Sequence, residues 1–284
     1  MKIGHQNQMI LLTGLPRSGT TWAANVIAKT INYRLVHEPF NWRAHPERMI
    51  FHMKYLPANV ENQELIQIIK RSIREPFPLF DQMTQKKGVL IKDVHICLAI
   101  ESIWEQLHPK IIIMLRHPCA IALSWMALGY EIRFRIDNLL EQSTLVRDLL
   151  APYVEHMKHE YDPYFMIGAY WGASYYILNQ LFQLHPDWQW VIHEELCSDP
   201  VDHFSRLITN LDTHLSNAGL RMLTSLHNKY DHEQHTKFSP YSIIRVSEAE
   251  PQKWIKTLTA QQVQSVLEGE KPFGILEKYF GNPV

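Results

Sequence analysis

Two glycines five residues apart, Gly14 and Gly19, bracket the segment G-L-P-R-S-G-T-T-W that follows an apolar run. The spacing is that of a phosphate-cradling loop, G-x-x-x-x-G-K-[ST], in which backbone N–H groups at a helix N-terminus surround an anion. Thr20 occupies the place of the lysine, and the nearest cation, Arg17, stands three residues earlier. Ser18, Gly19, Thr20 and Thr21 supply amides and hydroxyls, and Arg17 supplies charge, so the expected ligand is a phosphate or a similar oxyanion.

A second set begins at Arg116, after the apolar run "KIIIML", and continues R-H-P-C-A-I-A-L-S-W to Ser124 and Trp125. A magnesium-dependent nucleotide enzyme needs an acid at the end of such a strand to hold the metal, and this strand ends in an arginine. Pro118 suits the first turn of a helix, which would carry Ser124 toward Arg116. An arginine and a hydroxyl converging on a second anion, beside a loop for a first, describe a nucleotide phosphorylated at both ends.

These groups need a frame. Apolar, β-rich runs at Met9–Thr13, Val89–Lys92, Lys110–Leu115 and Trp188–His193, with a weaker one at Tyr33–His37, alternate with helical patterns at Thr20–Ile31, Cys97–Gln106 and Cys119–Gly129. Such alternation predicts a parallel sheet with helices on both faces. In such sheets ligands bind beyond the carboxyl ends of the strands. Segments 40–80 and 130–165 break the pattern with Trp42, Phe51, Tyr55, Phe77, Phe80, Phe134, Tyr153 and Tyr161, and with Pro57, Pro76 and Pro78. They read as helical or irregular excursions over the strand ends, where pockets and lids are built. For most of these aromatics singly, plain packing is the better account. With no internal repeat or linker, residues 1–284 read as one domain.

Composition narrows the function. The 284 residues are 46% hydrophobic and 20% charged, with a net charge of −1, which suits a globular protein and argues against a general nucleic-acid binder. Cys97, Cys119 and Cys197 are scattered without C-x-x-C spacing and read as buried or free thiols in a reducing compartment. No H-E-x-x-H or zinc spacing organises the 16 histidines, so no metal is expected and they read as surface and loop residues. An apolar run starting within ten residues of Met1 leaves no room for a signal peptide, and no run reaches membrane length. The expected location is the cytoplasm.

P-R-S-G-T-T-W followed by R-x-P-x-x-x-x-x-S resembles the sulfotransferases that use 3′-phosphoadenosine 5′-phosphosulfate (PAPS; product PAP), a P-loop NTPase-like fold. The resemblance implies that Arg17, Ser18, Gly19, Thr20 and Thr21 hold the 5′-phosphosulfate, that Trp22 lies by the adenine, and that Arg116 and Ser124 take the 3′-phosphate. "VIHEELCSDP" is similar to the family's Y-E-D-L…D-P segment, with His193 in place of the adenine-contacting tyrosine. "SPYSIIRVSEAEPQKW" is similar to its C-terminal segment, which implies Arg245 at the 3′-phosphate. A sulfuryl group carries less charge than a terminal phosphoryl group, so no metal is required, and Arg17 with the loop amides can stabilise the charge that develops. The acceptor would be a hydroxyl or amine on a small molecule, a glycan or a lipid.

The resemblance also frames the general base. Cytosolic members use a histidine in K-T-H after the third strand; many glycan-modifying and bacterial members use a glutamate after the second. Here "YRLVH" is followed by Glu38 and Pro39, whereas the third strand runs on as K-D-V-H. His95 is one residue further from Lys92 than in K-T-H, and on a continuing strand it would face the opposite side; it returns only if the strand has ended. Glu38 is therefore the expected base, His95 its rival and Asp93 a weaker one, with Lys92 assisting at the bridging oxygen. The competing readings are a P-loop kinase-like phosphotransferase and a catalytically inactive nucleotide-binding protein of the same fold.

Overall fold

Runs of Ile, Val and Leu form five short strands: β1 (Gln8–Gly14), β2 (Arg34–His37), β3 (Gly88–Lys92), β4 (Lys110–Leu115) and β5 (Gln189–Ile192). The structure, a computed structural model, describes residues 8–74, 87–158, 162–213, 215–230 and 249–281. The strands form one parallel sheet in the order β2-β3-β1-β4-β5. Because successive side chains alternate between faces, the same strands feed two cores. Leu11, Ile91, Ile111, Ile113 and Leu115 enter one, and Ile10, Leu12, Leu90, Ile112 and Met114 the other. Burial on both sides explains the continuous apolar runs.

Helix α1 (Thr20–Ile31) packs into the second core, and it ends where Asn32 turns left-handed (φ 61°) with its N–H on the Ala28 carbonyl. The opposite face carries α3 (Ile100–Leu107), preceded by a 3₁₀ turn at Cys97–Ala99, and α4 (Pro118–Leu128); α2 (Gln63–Arg74) belongs to the first excursion. The His117 side chain caps α4 by accepting from the Cys119 N–H at 3.2 Å, and Gly129 ends it at φ 64°. A 22-residue helix, Pro163–Leu184, starts on the Asp162 cap and brings Trp171 and Tyr175 under the strand ends.

The excursions are helical and irregular. They comprise a 3₁₀ turn at Pro46–Phe51, α2, and α5 (Ile132–Leu140) with the short turns after it. Phe51 and Tyr55 are buried in the core, Phe134 is exposed, and Phe77, Phe80 and Tyr161, with Pro76 and Pro78, lie outside the described residues. The three cysteines are free and buried. The histidines depart from the expected surface placement: His52, His185 and His193 are buried. Among the described residues, no helix is long and apolar enough to cross a membrane.

Candidate functional site

A parallel sheet puts all its carboxyl ends on one edge, and every sequence candidate in the described residues lies there or on the helix that follows. The loop follows β1, Glu38 follows β2, Lys92 ends β3, Arg116 follows β4 and His193 follows β5.

The loop is shaped by backbone. Gly14 (φ 145°), Arg17 (φ 73°) and Gly19 (φ 87°) all take positive φ, and a side chain at Gly19 would run into the His193 ring. This explains the second glycine: the helix start must lie against β5's exit. Four buried or half-buried groups hold the curve from behind. The Tyr175 hydroxyl accepts from the Leu15 N–H at 3.2 Å and donates to the Met114 carbonyl at 2.7 Å. The Ser18 hydroxyl donates to the Leu15 carbonyl at 2.7 Å. The Trp125 indole donates to the Pro16 carbonyl at 2.9 Å. Arg116 Nη1 donates to the Arg17 carbonyl at 3.0 Å.

Arg17 is the meeting point. Its Nε donates to Ser124 Oγ at 2.8 Å, so the two residues expected at a second phosphate, Arg116 and Ser124, both bind Arg17 in this state. No side chain caps α1 at Gly19, and its first turn holds no acid, which leaves amides and helix dipole facing a region of arginine charge. Trp22 and His193 are also brought together, their rings 5.7 Å apart and edge-to-face. Trp22 Nε1 and His193 Nδ1 are buried and have no hydrogen-bond partner among the described residues. Two such donors or acceptors beside an anion cradle fit a purine nucleotide, whose ring nitrogens and exocyclic group need partners.

A second corner lies across β3. β2 ends at His37, and Glu38 turns left-handed at φ 46° with its N–H on the Lys92 carbonyl at 2.7 Å. That turn aims its carboxylate at Lys92, with which it forms a close ion pair. β3 ends at Lys92, so the condition for His95 to return is met: His95 Nε2 lies 3.9 Å from Glu38 Oε2. Asp93 is fully buried and accepts from the Phe40 N–H and the His95 N–H, both at 2.7 Å. It braces the two turns from below, and its burial pushes its carboxyl up to about 7. Burial alone would raise Glu38, but Lys92, His37 and His95 together hold it at about 2. Burial lowers His95 to about 4, with Lys92, Arg135 and Arg43 adding to the effect against Glu38, so its imidazole is neutral near pH 7.

Sequence reasoning missed His52, whose Nδ1 is 3.1 Å from His95 Nδ1, and Tyr175 behind the loop. Arg245 lies outside the described residues. Among the described residues, no group of three or more His, Cys, Asp or Glu could hold a metal ion.

No protein-family model matches the chain, and no curated protein does either. Solved structures do. The sulfotransferase domain of the Synechococcus PCC 7002 olefin synthase matches with a TM-score of 0.53 and 17% identity, over 96% of this chain and 98% of that one. The fold is that of a sulfotransferase domain. A sulfotransferase domain from the curacin biosynthetic pathway (TM-score 0.48, 16% identity, 93% of this chain and 97% of that one) and a mouse sulfotransferase complexed with PAP (0.44, 16%, 97% and 90%) also match. Within the sulfotransferase fold of this chain, the loop and the Glu38–Lys92–His95 corner share one edge of the sheet.

Proposed function

We propose that this chain is a single-domain sulfotransferase that uses 3′-phosphoadenosine 5′-phosphosulfate and passes its sulfuryl group to a hydroxyl or amine. One observation carries the reading: a phosphate loop without its lysine, whose cation, Arg17, is held between Ser124 and Arg116. Bound there, the donor supplies an activated sulfuryl group on its 5′-phosphate. The amides from Ser18 to Thr21 and Arg17 receive the 5′ end, Arg116 and Ser124 the 3′-phosphate, and Trp22 with His193 the adenine. Arg245 completes the 3′ site in this proposal.

The chemistry required of the protein is modest. Glu38 takes the acceptor's proton, and Lys92, released from Glu38 as that proton arrives, neutralises negative charge at the bridging oxygen. His95, neutral and beside Glu38, orients the acceptor or shares the proton. No step requires a metal, because the arginines and amides supply the positive charge. Buried free thiols at Cys97, Cys119 and Cys197 support a cytoplasmic setting, and a net charge of −1 supports small molecules, glycans or lipids over nucleic acids as acceptors.

Calorimetry tests the donor. PAP should bind tightly without magnesium, and ATP much more weakly. Equal affinities, or strict dependence of PAP binding on magnesium, would overturn the proposal.

A further inference from the structure

Arg135 is a cation that the chemistry above does not use. Its guanidinium lies 5.0 Å from the Trp125 ring centroid and 4.8 Å from that of Tyr130. Aromatic faces hold a guanidinium and fix its plane, but they accept few of its five N–H donors. Arg135 Nε and Nη1 are buried and make no hydrogen bond among the described residues. The only acid of α5, Asp137, is paired instead with Arg133 at 2.9 Å. The fully buried Tyr170 hydroxyl lies beside the guanidinium and feels its charge, yet Nε and Nη1 still have no acceptor. Buried donors without acceptors are costly, and the cost is recovered when a ligand supplies the oxygens.

The position fits a ligand of the same site. Trp125, whose ring carries Arg135, donates through its indole to the Pro16 carbonyl of the phosphate loop. Beyond the end of α5, Gln142 donates to the Met53 carbonyl at 2.9 Å and accepts from the Tyr55 N–H at 2.8 Å. Arg135 and Asn138, three residues apart, share one face of α5, and the Gln142 amide, just past the end of the helix, also donates to the Asn138 carbonyl at 3.0 Å. That face is docked on the segment that begins with His52, which in turn touches His95. Asn138 Oδ1 is buried and has no hydrogen-bond partner among the described residues. The charge of Arg135 reaches His52 and His95, adding to the burial that keeps both neutral.

We propose that Arg135 and Asn138 form an acceptor subsite for an oxyanion, so that the acceptor is an anionic molecule whose charged group seats on Arg135 while its hydroxyl or amine faces Glu38 and His95. A carboxylate or a phosphate meets the guanidinium fork through paired N–H···O bonds, and Asn138 Oδ1 accepts a donor elsewhere on the same molecule. The proposal rests on the sulfotransferase reading for the identity of the reacting group, but the anion site itself stands on Arg135.

Ligand-observed NMR titration of the PAP-saturated protein tests it with matched probes. One arm compares 4-hydroxyphenylacetate with its methyl ester, and the other compares 4-hydroxyphenyl phosphate with hydroquinone; the arm that shows the preference identifies the oxyanion. The charged member should bind about 10- to 100-fold more tightly, the range expected for hydrogen bonds to a charged group. Arg135→Gln should abolish the preference with PAP affinity unchanged, and Arg135→Lys should keep part of it. No preference in either wild-type arm overturns the subsite, as does a preference that survives in Arg135→Gln or, if that variant does not fold, one undiminished in Arg135→Lys. Failure of the wild type to bind PAP would instead overturn the donor reading, and the same titrations without PAP would still judge Arg135.

Discussion

On the proposed donor side, the loop from Leu15 to Gly19 hangs on neutral hydrogen bonds from Tyr175, Ser18 and Trp125, with charge entering only through Arg116 and through Arg17's own bond to Ser124. On the proposed acceptor side, Glu38 pairs with Lys92, His95 lies against Glu38 and His52, the charge of Arg135 reaches both histidines, and the geometry depends on which of these groups carry charge. Neutral bonds to buried groups hold a shape whatever the pH, which suits a site that must recognise one fixed donor. Coupled ionisable groups hold a shape only while their protonation is right, which suits a site that must move a proton. On this proposal the donor side is a mould, and the acceptor side a charge arrangement.

The largest expected effect tests that division at Glu38. Glu38→Gln keeps the side chain's size and removes its basicity, so turnover should fall about 10²- to 10⁴-fold, the usual contribution of a general base. PAP affinity should not change, because none of the contacts that hold the loop includes Glu38. His95→Asn should cost less. Single-turnover assays decide; the reverse ranking would move the base to His95, and a loss of PAP affinity in Glu38→Gln would show that the two sides are not independent.

Acid should strip stability from the acceptor side. Burial lowers His52 to about 3 and His37 and His95 to about 4. The unfolded chain binds protons at these histidines below about pH 6.5, while the folded protein resists until about pH 4. Their stability is therefore fully present above pH 6.5 and is lost as pH falls through that window. Asp93 runs the other way: with its carboxyl raised to about 7, its share is retained in acid and lost as pH rises through 7. Three histidines, joined below about pH 4.5 by Glu38, outweigh Asp93 and give a net fall, since each tenfold change of proton affinity on folding is worth about 1.4 kcal/mol before screening. The melting temperature should drop from pH 6.5 to pH 4, and His52→Gln should flatten that slope. A flat profile in the wild type would mean that the histidines of this corner are not held neutral.

The same contrast governs what could be read in the sequence. The donor side is written contiguously: two glycines, Arg17 and two threonines fall within eight residues, and the strand before them was legible to within one residue at each end. Glu38, Lys92 and His95 were singled out from the resemblance and from the strand ends, which a parallel sheet gathers on one edge, although the side to which His95 turns depended on where β3 stops. His52, Arg135 and Asn138 were missed because no local spacing links them. Gln142 docking on Met53 and Tyr55, nearly 90 residues away in sequence, creates their neighbourhood. One signal was available. Ile132, Ile136 and Leu139 form the buried stripe of α5, and Arg135, three residues after the first and four before the last, is a charge on the core side of that helix. A cation in that position needs a partner, and the acids nearest in sequence are Glu131, four residues before it, and Asp137, which pairs with Arg133.

The smallest effect is expected where the donor side is most redundant, at Ser124. Arg116→Ala removes both the support of the Arg17 carbonyl and the proposed partner of the 3′-phosphate, so PAP binding should weaken by about 2–4 kcal/mol, as for a lost charge-assisted contact. Ser124→Ala removes one neutral hydroxyl, worth roughly 1 kcal/mol. The hydroxyl now holds Arg17 Nε at 2.8 Å, so its loss also frees that guanidinium, but Gly14, Gly19 and the buried hydrogen bonds still fix the loop around it. Adenosine 5′-phosphosulfate, which lacks the 3′-phosphate, separates the two roles. If Arg116 and Ser124 serve the 3′-phosphate, both variants should lose more affinity for PAP than for that analogue. If Ser124 acts mainly by positioning Arg17, Ser124→Ala should weaken the analogue and PAP equally, and the 3′ assignment would then rest on Arg116 alone.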